Sequence, residues 1–375
     1  MKRPIIVDTT LRDGEQAAGV EFTLDEKIKI AVLLAKLGVR EIEAGTPAMA
    51  GIEKAAIKRI VDKCLNVRLI GWNRALVKDI DASIDCGLKS IAISLPVSDI
   101  HIKYKLKTTR RAVIEQLKGA IGYAKKRRLY VIASAEDASR ADFDFLIKYI
   151  TALKSAGADR FRFCDTVGIL EPFRLFNIIK KILRIIKIDI EVHTHNDFGL
   201  ATANALAGIY AGASFVDTTV TGIGERAGNA ALEELVMALI KIYELKLDIN
   251  IKGFHALSQF VSKASGRQIP PDKPIVGESC FLHESGIHQD GIIKNPLTYE
   301  PFDPALLGRK RKLVIGKHSG RAVIRHFLGK AGIDVDKHIA TRVLEAAKEK
   351  AVFSKHYVLG RDIYPLHEGL IRNIK

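Results

Sequence analysis

The sequence predicts an α/β protein: a (β/α)8 barrel followed by a smaller, mostly helical and irregular C-terminal subdomain. Three observations carry this prediction. Short β-rich runs recur through roughly the first 225 residues, close to the length of such a barrel. Amphipathic stretches separate them, and many end in glycine just ahead of the next run. Polar residues gather where the runs give out, which is the end at which these barrels carry their sites.

The runs follow in order. "IIVDTT" (5–10) is the first, and "TLDEKIKIAVLLAKLG" after it has helical periodicity and stops at Gly38. "VREIEAG" (39–45), "VRLIGW" (67–72) and "SIAISLP" (90–96) are the next three, with Gly87 closing the helix between the last two. "TRRAVIEQLKGAIGYAKKR" leads to "LYVIASA" (129–135), and Gly157 precedes "RFRFCDT" (160–166). "IEVHTH" (190–195) and, after Gly212, "FVDTTVTG" (215–222) complete the set. A doubly wound sheet is the weaker alternative, because no G-x-G-x-x-G follows the first strand. Beyond about residue 250 the pattern breaks. "GRQIPPDKPIVGE" reads as a linker, "HESGIHQDGIIKNPLTYEPFDPALLG" as loops and short helices, and the remainder from about 320 as helical. The expected division is a barrel over 1–255 and a C-terminal subdomain over 256–375.

Composition narrows the class. The chain has 375 residues and is 47% apolar, ordinary for a globular protein. "MKRPIIVDTT" has too short an apolar part for a signal peptide, and no apolar run reaches the ~20 residues of a membrane span. Cys64, Cys86, Cys164 and Cys280 are scattered without C-x-x-C, which suits a reducing cytoplasm. The net charge of +16 is spread over helical stretches, with one tight cluster in "GRKRKLVIGKHSG". No zinc finger, RNP-type signature or basic heptad array accompanies it, so anionic metabolites are the expected partners, with no nucleic acid and no membrane.

"HTHND" carries the sharpest chemical signal. His193 and His195 are two apart on a strand and face the same side, about 7 Å apart at roughly 3.3 Å per residue, so they can converge on one cation. The ends of the other strands supply Arg12, Asp13, Glu15 and Gln16, then Glu43, Glu136 and Asp137, Asp165 and Thr166, and finally Glu225, Arg226 and Asn229. In a closed barrel these form one ring. Asp13 with the two histidines makes a plausible site for Zn, Mn, Fe, Co or Mg, to which Asn229 can add an amide oxygen. Arg12 offers a fork for a carboxylate. Glu15 and Glu225 are candidate partners of the ligands, whereas Asp137, Asp165, Asn196 and Asp197 read as loop and cap hydrogen bonders.

"DTTLRDGEQ", "HTHND", "GERAGNAALEE" and "SGIHQDG" together resemble the homocitrate synthase and 2-isopropylmalate synthase family over residues 4 to about 330. "GWNRA", "AEDASRAD", "FRFCDTVGILEPF", "HESGIH" and "TYEPFDP" are most similar to the nitrogen-fixation type of homocitrate synthase, while Gln289 is more like the isopropylmalate synthases. The resemblance implies a cytoplasmic, acetyl-CoA-dependent acyltransferase on a metal-bearing barrel. It implies Asp13, His193 and His195 as metal ligands with Asn229 near or on the ion, and Arg12 and Thr166 on the 2-oxo acid carboxylate. Gln16 is then beside the reacting centre. Glu136 pairs with His288 to handle protons, with Tyr299 assisting. His288 and Tyr299 are expected to reach the partner's site in a homodimer. It also implies that the chain stops short of a leucine-sensing domain. The expected reaction is condensation of acetyl-CoA with 2-oxoglutarate to (R)-homocitrate and CoA, for nitrogenase cofactor synthesis; 2-oxoisovalerate or pyruvate is the alternative acceptor. A distal carboxylate calls for a second cation, for which Arg74, Arg140 and His101 are candidates, with Ser94 and Asn73 weaker ones. The related hydroxymethylglutaryl-CoA lyases carry a cysteine in the loop after the last strand, and "TGIGERAGN" has none.

Overall fold

A computed structural model describes residues 3–372. Eight parallel strands close into a barrel in sequence order: β1 (Ile5–Asp8), β2 (Glu41–Gly45), β3 (Arg68–Arg74), β4 (Ser90–Pro96), β5 (Tyr130–Glu136), β6 (Arg160–Asp165), β7 (Ile190–Thr194) and β8 (Phe215–Thr218). Pairing of Ile5 with Phe215 through Asp8 with Thr218 shuts the barrel. The crossovers are α1 (Leu24–Leu37), α2 (Gly51–Asp62), α3 (Val77–Asp85), the single turn α4 (Asp99–His101) leading to α5 (Arg110–Lys126), α6 (Phe143–Ser155), α7 (Pro172–Ile185) and α8 (Ala201–Ala211). After β8 come α9 (Leu232–Lys241) and α10 (Phe254–Ser265). Local chemistry sets the helix ends. Thr23 and Glu26 form a capping box on α1, and Gly38 and Gly212 close α1 and α8 in the left-handed conformation.

The eighth expected strand is shorter than its apolar pattern. It ends at Thr218, because Thr221 is left-handed (φ 58°) and the chain turns back through Gly222. The compact units are Met1–Ile269 and Pro270–Lys375. The division follows α10, whereas composition placed it at the start of that helix; Phe254, Leu257 and Val261 of α10 are buried within the first unit.

Alternate strand residues point into the barrel. Val7, Ile70, Ala92, Ile132 and Phe215 form an apolar interior cluster. Beside it lies a buried ionic network. Arg160 pairs with Glu41 and Glu191, and Arg162 with Glu43, Glu191 and Asp217. Both guanidiniums are out of contact with solvent, so each needs its carboxylates. The strands' other face carries Ile42, Ile91, Val131, Phe161, Phe163 and Val192 to the helices, all fully buried.

The second unit contains a small sheet that its sequence did not predict. Its order is β11-β10-β9, from β9 (Leu282–His283), β10 (Lys312–Ile315) and β11 (Val358–Leu359). Two strands of two residues and one of four are too short to show a period. Around the sheet lie α11 (Gly286–Lys294), α12 (Arg321–Lys330), α13 (Lys337–Ser354) and α14 (Ile363–Arg372), the last three matching the expected helical end. Ile315, Val323, Ile324, Leu328, Val343, Leu344 and Val358 are among its core residues. No helix among the described residues is long and apolar enough to cross a membrane.

Candidate metal and substrate site

Asp13, His193 and His195 are buried together at the strand ends, and among the described residues they form the one such cluster of metal-ligating side chains. His193 Nε2 lies 3.1 Å from His195 Nε2, and the two are 4.0 and 3.9 Å from Asp13 Oδ2. These edges are the separations of atoms gathered about one cation with bonds of about 2 Å. Burial, ahead of every nearby charge, lowers both imidazoles to about 4, so they are neutral and have lone pairs to give. His193 Nδ1 is 2.9 Å from Asp217 Oδ2, which fixes the tautomer that leaves Nε2 free. Burial would raise Asp13, but Arg12 and the neighbouring histidines hold it below the usual carboxylate range. The donor set therefore fits a divalent ion.

The loop after β8 is shaped to this cluster. Asn229 donates Nδ2 to Asp13 Oδ2 at 2.6 Å, and its Oδ1 is buried without a donor. A Cβ on Gly224 would lie 2.0 Å from Asn229 Nδ2, so only glycine lets this loop approach. Arg12 donates to Glu43 Oε2 and Asp13 Oδ1, both at 2.8 Å. Burial opposes the charge on Glu43, but Arg12 and Arg162 outweigh it and keep Glu43 ionised.

A cavity of about 390 Å3 opens above the cluster. Of the expected residues it is lined by Arg12, Asp13, Gln16, Ser94, Glu136, Thr166, His193, His195, Glu225 and Arg226. Thr166 Oγ1 accepts from the Asp137 amide at 2.8 Å, leaving its proton for another acceptor. Trp72, Lys105, Ser134, Arg162 and Cys164 also line the cavity and were not singled out from the sequence. Burial keeps Cys164 a thiol, raised well above its ordinary value.

The expected second cations fall elsewhere. Arg74 is a two-pronged partner of Asp79 and is absent from the lining. Arg140 is bound to Asp137, with Nη2 3.4 Å from His101 Nε2. His101 Nδ1 is 3.2 Å from Glu136 Oε1 but outside hydrogen-bond geometry. Besides Arg12, three cations line the cavity: Arg162, held by Glu43, Glu191 and Asp217; Arg226, held by Asp197; and Lys105, whose Nζ donates to Glu136 Oε1 at 2.6 Å. Lys105 lies after β4 in a single π-helical turn, Ile102–Leu106, that continues α4 and is too short to show a period in the sequence. Asn73 is enclosed, donating to the Gly71 carbonyl and accepting from Ser83.

Glu15 is turned from the metal cluster and binds Lys27 at 2.5 Å and the Phe22 amide. Asp165 accepts from the Ile169 and Leu170 amides, Asn196 from Ala201, and Asp197 from Arg226, as the loop and cap reading requires. In the second unit, His288 on α11 stacks on Tyr299 at 4.1 Å between ring centroids. A Cβ at Gly291 would lie 2.6 Å from the Tyr299 ring, so glycine there makes the stack possible. Gln289 is fully buried and donates to the His283 and Val314 carbonyls, a structural position within the unit.

The family profile described as HMGL-like matches residues 3–261, and one described as homocitrate synthase post-HMGL domain-like matches 275–355. A protein named 2-isopropylmalate synthase 2 from Caldanaerobacter subterraneus subsp. tengcongensis is 50% identical over 366 residues, 98% of this chain and 95% of that one. Homocitrate synthase 1 from Nostoc sp. is 48% identical over 366 residues, 98% of this chain and 97% of its own. The crystal structure of the Bacillus subtilis HMG-CoA lyase superposes with a TM-score of 0.65 at 19% identity, covering 72% of this chain and 96% of that one, and shares the barrel fold. With its barrel, its Asp-His-His cluster and these full-length relatives, the chain belongs to the HMGL-like family, in its homocitrate synthase and 2-isopropylmalate synthase branch.

Proposed function

We propose that the protein condenses acetyl-CoA with a 2-oxo acid, preferentially 2-oxoglutarate, and hydrolyses the thioester to release (R)-homocitrate and CoA. The observation that carries the choice of acceptor is Lys105, a cation in the cavity beyond Arg12. One guanidinium suffices for the 2-oxo carboxylate. Lys105 is half exposed and already paired with Glu136, and its ammonium has further donors that a distal carboxylate can take and an isopropyl group cannot.

A divalent ion held by Asp13, His193 and His195 would supply Lewis-acid polarisation of the acceptor's ketone. Asn229 steadies Asp13 and has Oδ1 to offer as a further oxygen donor. Arg12 is anchored by two carboxylates, so its fork is set before the acceptor arrives, and Thr166 Oγ1 can donate to the same 2-oxo carboxylate. Gln16 lies by the reacting carbon. Glu136 and the His288–Tyr299 pair take the proton from the acetyl methyl; that carbon then bonds to the ketone carbon as the C=O π pair moves onto oxygen, and the oxygen takes a proton back from the same groups to become the tertiary alcohol. Water next cleaves the thioester, releasing the CoA thiol and the new carboxylate. We assign His288 and Tyr299 to a neighbouring copy's site in a homodimer.

The relatives carry both synthase names, so 2-oxoisovalerate is the second reading of the acceptor. Thiol release from acetyl-CoA against a panel of 2-oxo acids tests the choice. The expected result is the highest kcat/KM with 2-oxoglutarate. A higher value with 2-oxoisovalerate or pyruvate moves the assignment to an isopropylmalate or citramalate synthase.

A further inference from the structure

The second unit has a cavity of its own, of about 580 Å3, between α11, β10, α12 and the turn after β11. Its volume is that of a small-molecule site. The floor is apolar, from Ile292, Phe327 and Leu359. His326 and Phe327 meet edge to face at 5.6 Å, so ring surfaces border the opening. The rim is cationic: Lys312, His326, Lys330 and Arg361. His326 and Lys330 are four residues apart on α12 and share a face.

The charge is one-sided. No carboxylate lines the cavity among the described residues. Arg311, also in the lining, is already neutralised by Glu300 at 2.8 Å. Lys312, Lys330 and Arg361 have no acidic partner among the described residues. Burial, with Lys330 next, holds His326 below its usual value, in keeping with a positive local field.

These features select among ligands. An amino acid would bring an ammonium group to a cavity with no acceptor carboxylate for it. A monocarboxylate would leave two of the three permanent cations unmatched. A planar base over the apolar floor, carrying more than one negative charge on phosphate, satisfies both parts. We propose that this cavity is a binding site for a phosphorylated adenosine, distinct from the metal-bearing cavity of the barrel. The source is either a free adenine nucleotide or the adenosine phosphate portion of a coenzyme.

The test is calorimetric titration of the full-length protein at low salt with ADP, adenosine and inorganic phosphate, with and without saturating CoA. The expected result is one ADP per chain, with adenosine and phosphate each bound at least tenfold more weakly. Lys330→Glu combined with Arg361→Glu should weaken ADP at least tenfold, while thiol release at saturating substrate and the melting temperature stay unchanged; both side chains are exposed. ADP binding that survives CoA assigns the site to a free nucleotide. Displacement by CoA, with both ligands weakened in the double variant, assigns it to the coenzyme's adenosine phosphate. The inference is overturned if ADP does not saturate at millimolar concentration, or if the double variant binds ADP as the wild type does.

Discussion

His193 Nδ1 lies 2.9 Å from Asp217 Oδ2, and on its other side His193 Nε2 faces His195 Nε2 at 3.1 Å. The carboxylate on β8 thus decides which nitrogen of a β7 histidine points to the metal cluster. Asp217 should therefore matter to metal affinity without itself touching the ion. Asp217→Asn is expected to weaken the metal about 10–100-fold. His193→Ala should remove stoichiometric metal and thiol release while the barrel stays folded. Metal content after dialysis against graded chelator reads both; a His193→Ala protein with full metal and near-normal rate rejects the ligand assignment.

Lys105 is predicted to read the acceptor's far end. Its side chain is 55% exposed, so the loss should be moderate: about 10–100-fold in kcat/KM for 2-oxoglutarate in Lys105→Met. Because Lys105 also holds Glu136, some loss with every acceptor is expected. The informative quantity is the ratio of 2-oxoglutarate to 2-oxoisovalerate turnover, which should fall at least tenfold. An unchanged ratio leaves Lys105 with only its role on Glu136.

Sharing of the site between two copies predicts complementation. Arg12→Ala and His288→Ala proteins should each be inactive. Mixed under subunit exchange, they should regain up to about a quarter of wild-type activity, since statistical heterodimers carry one intact site of two. Purified heterodimers of differently tagged chains, assayed by thiol release, make the measurement direct. Activity no greater than in either parent places the whole site in one chain.

Asp8 links the barrel to pH. It is fully buried on β1, takes the Thr10 amide on Oδ1, and has no donor on Oδ2. Burial pushes its carboxyl up to about 7, with Glu233 and Glu43 adding to the shift and Thr10 opposing it. A folded value above the unfolded one means that the folded chain holds the proton between about pH 4 and 7. Its contribution to stability is present in full below pH 4 and is lost as pH rises through 7. The span is on the order of 4 kcal/mol. Asp8→Asn should remove this slope, so urea midpoints of variant and wild type, both stripped of metal, should draw apart in the variant's favour from pH 4.5 to 8. Parallel curves would assign the pH dependence to other groups.

The sequence by itself determined the barrel and most of the ring of polar strand ends. Strand runs and helix periods are local, and a closed parallel barrel turns the eight strand ends to one side. That is why Asp13, His193 and His195 are legible although 180 residues separate the first from the second. Only the tertiary structure decided which charges the site keeps. Arg74 and Arg140 have the right chemistry, but Asp79 and Asp137 hold them, while Lys105, on a π-helical turn, is held by Glu136 and both line the cavity. The buried Arg160 and Arg162 look like strand surface in "RFRF", yet the closed barrel brings Glu41, Glu43 and Glu191 against them. A charged side chain's direction is set by the nearest opposite charge in space, and the chain order does not contain that distance until the barrel has closed.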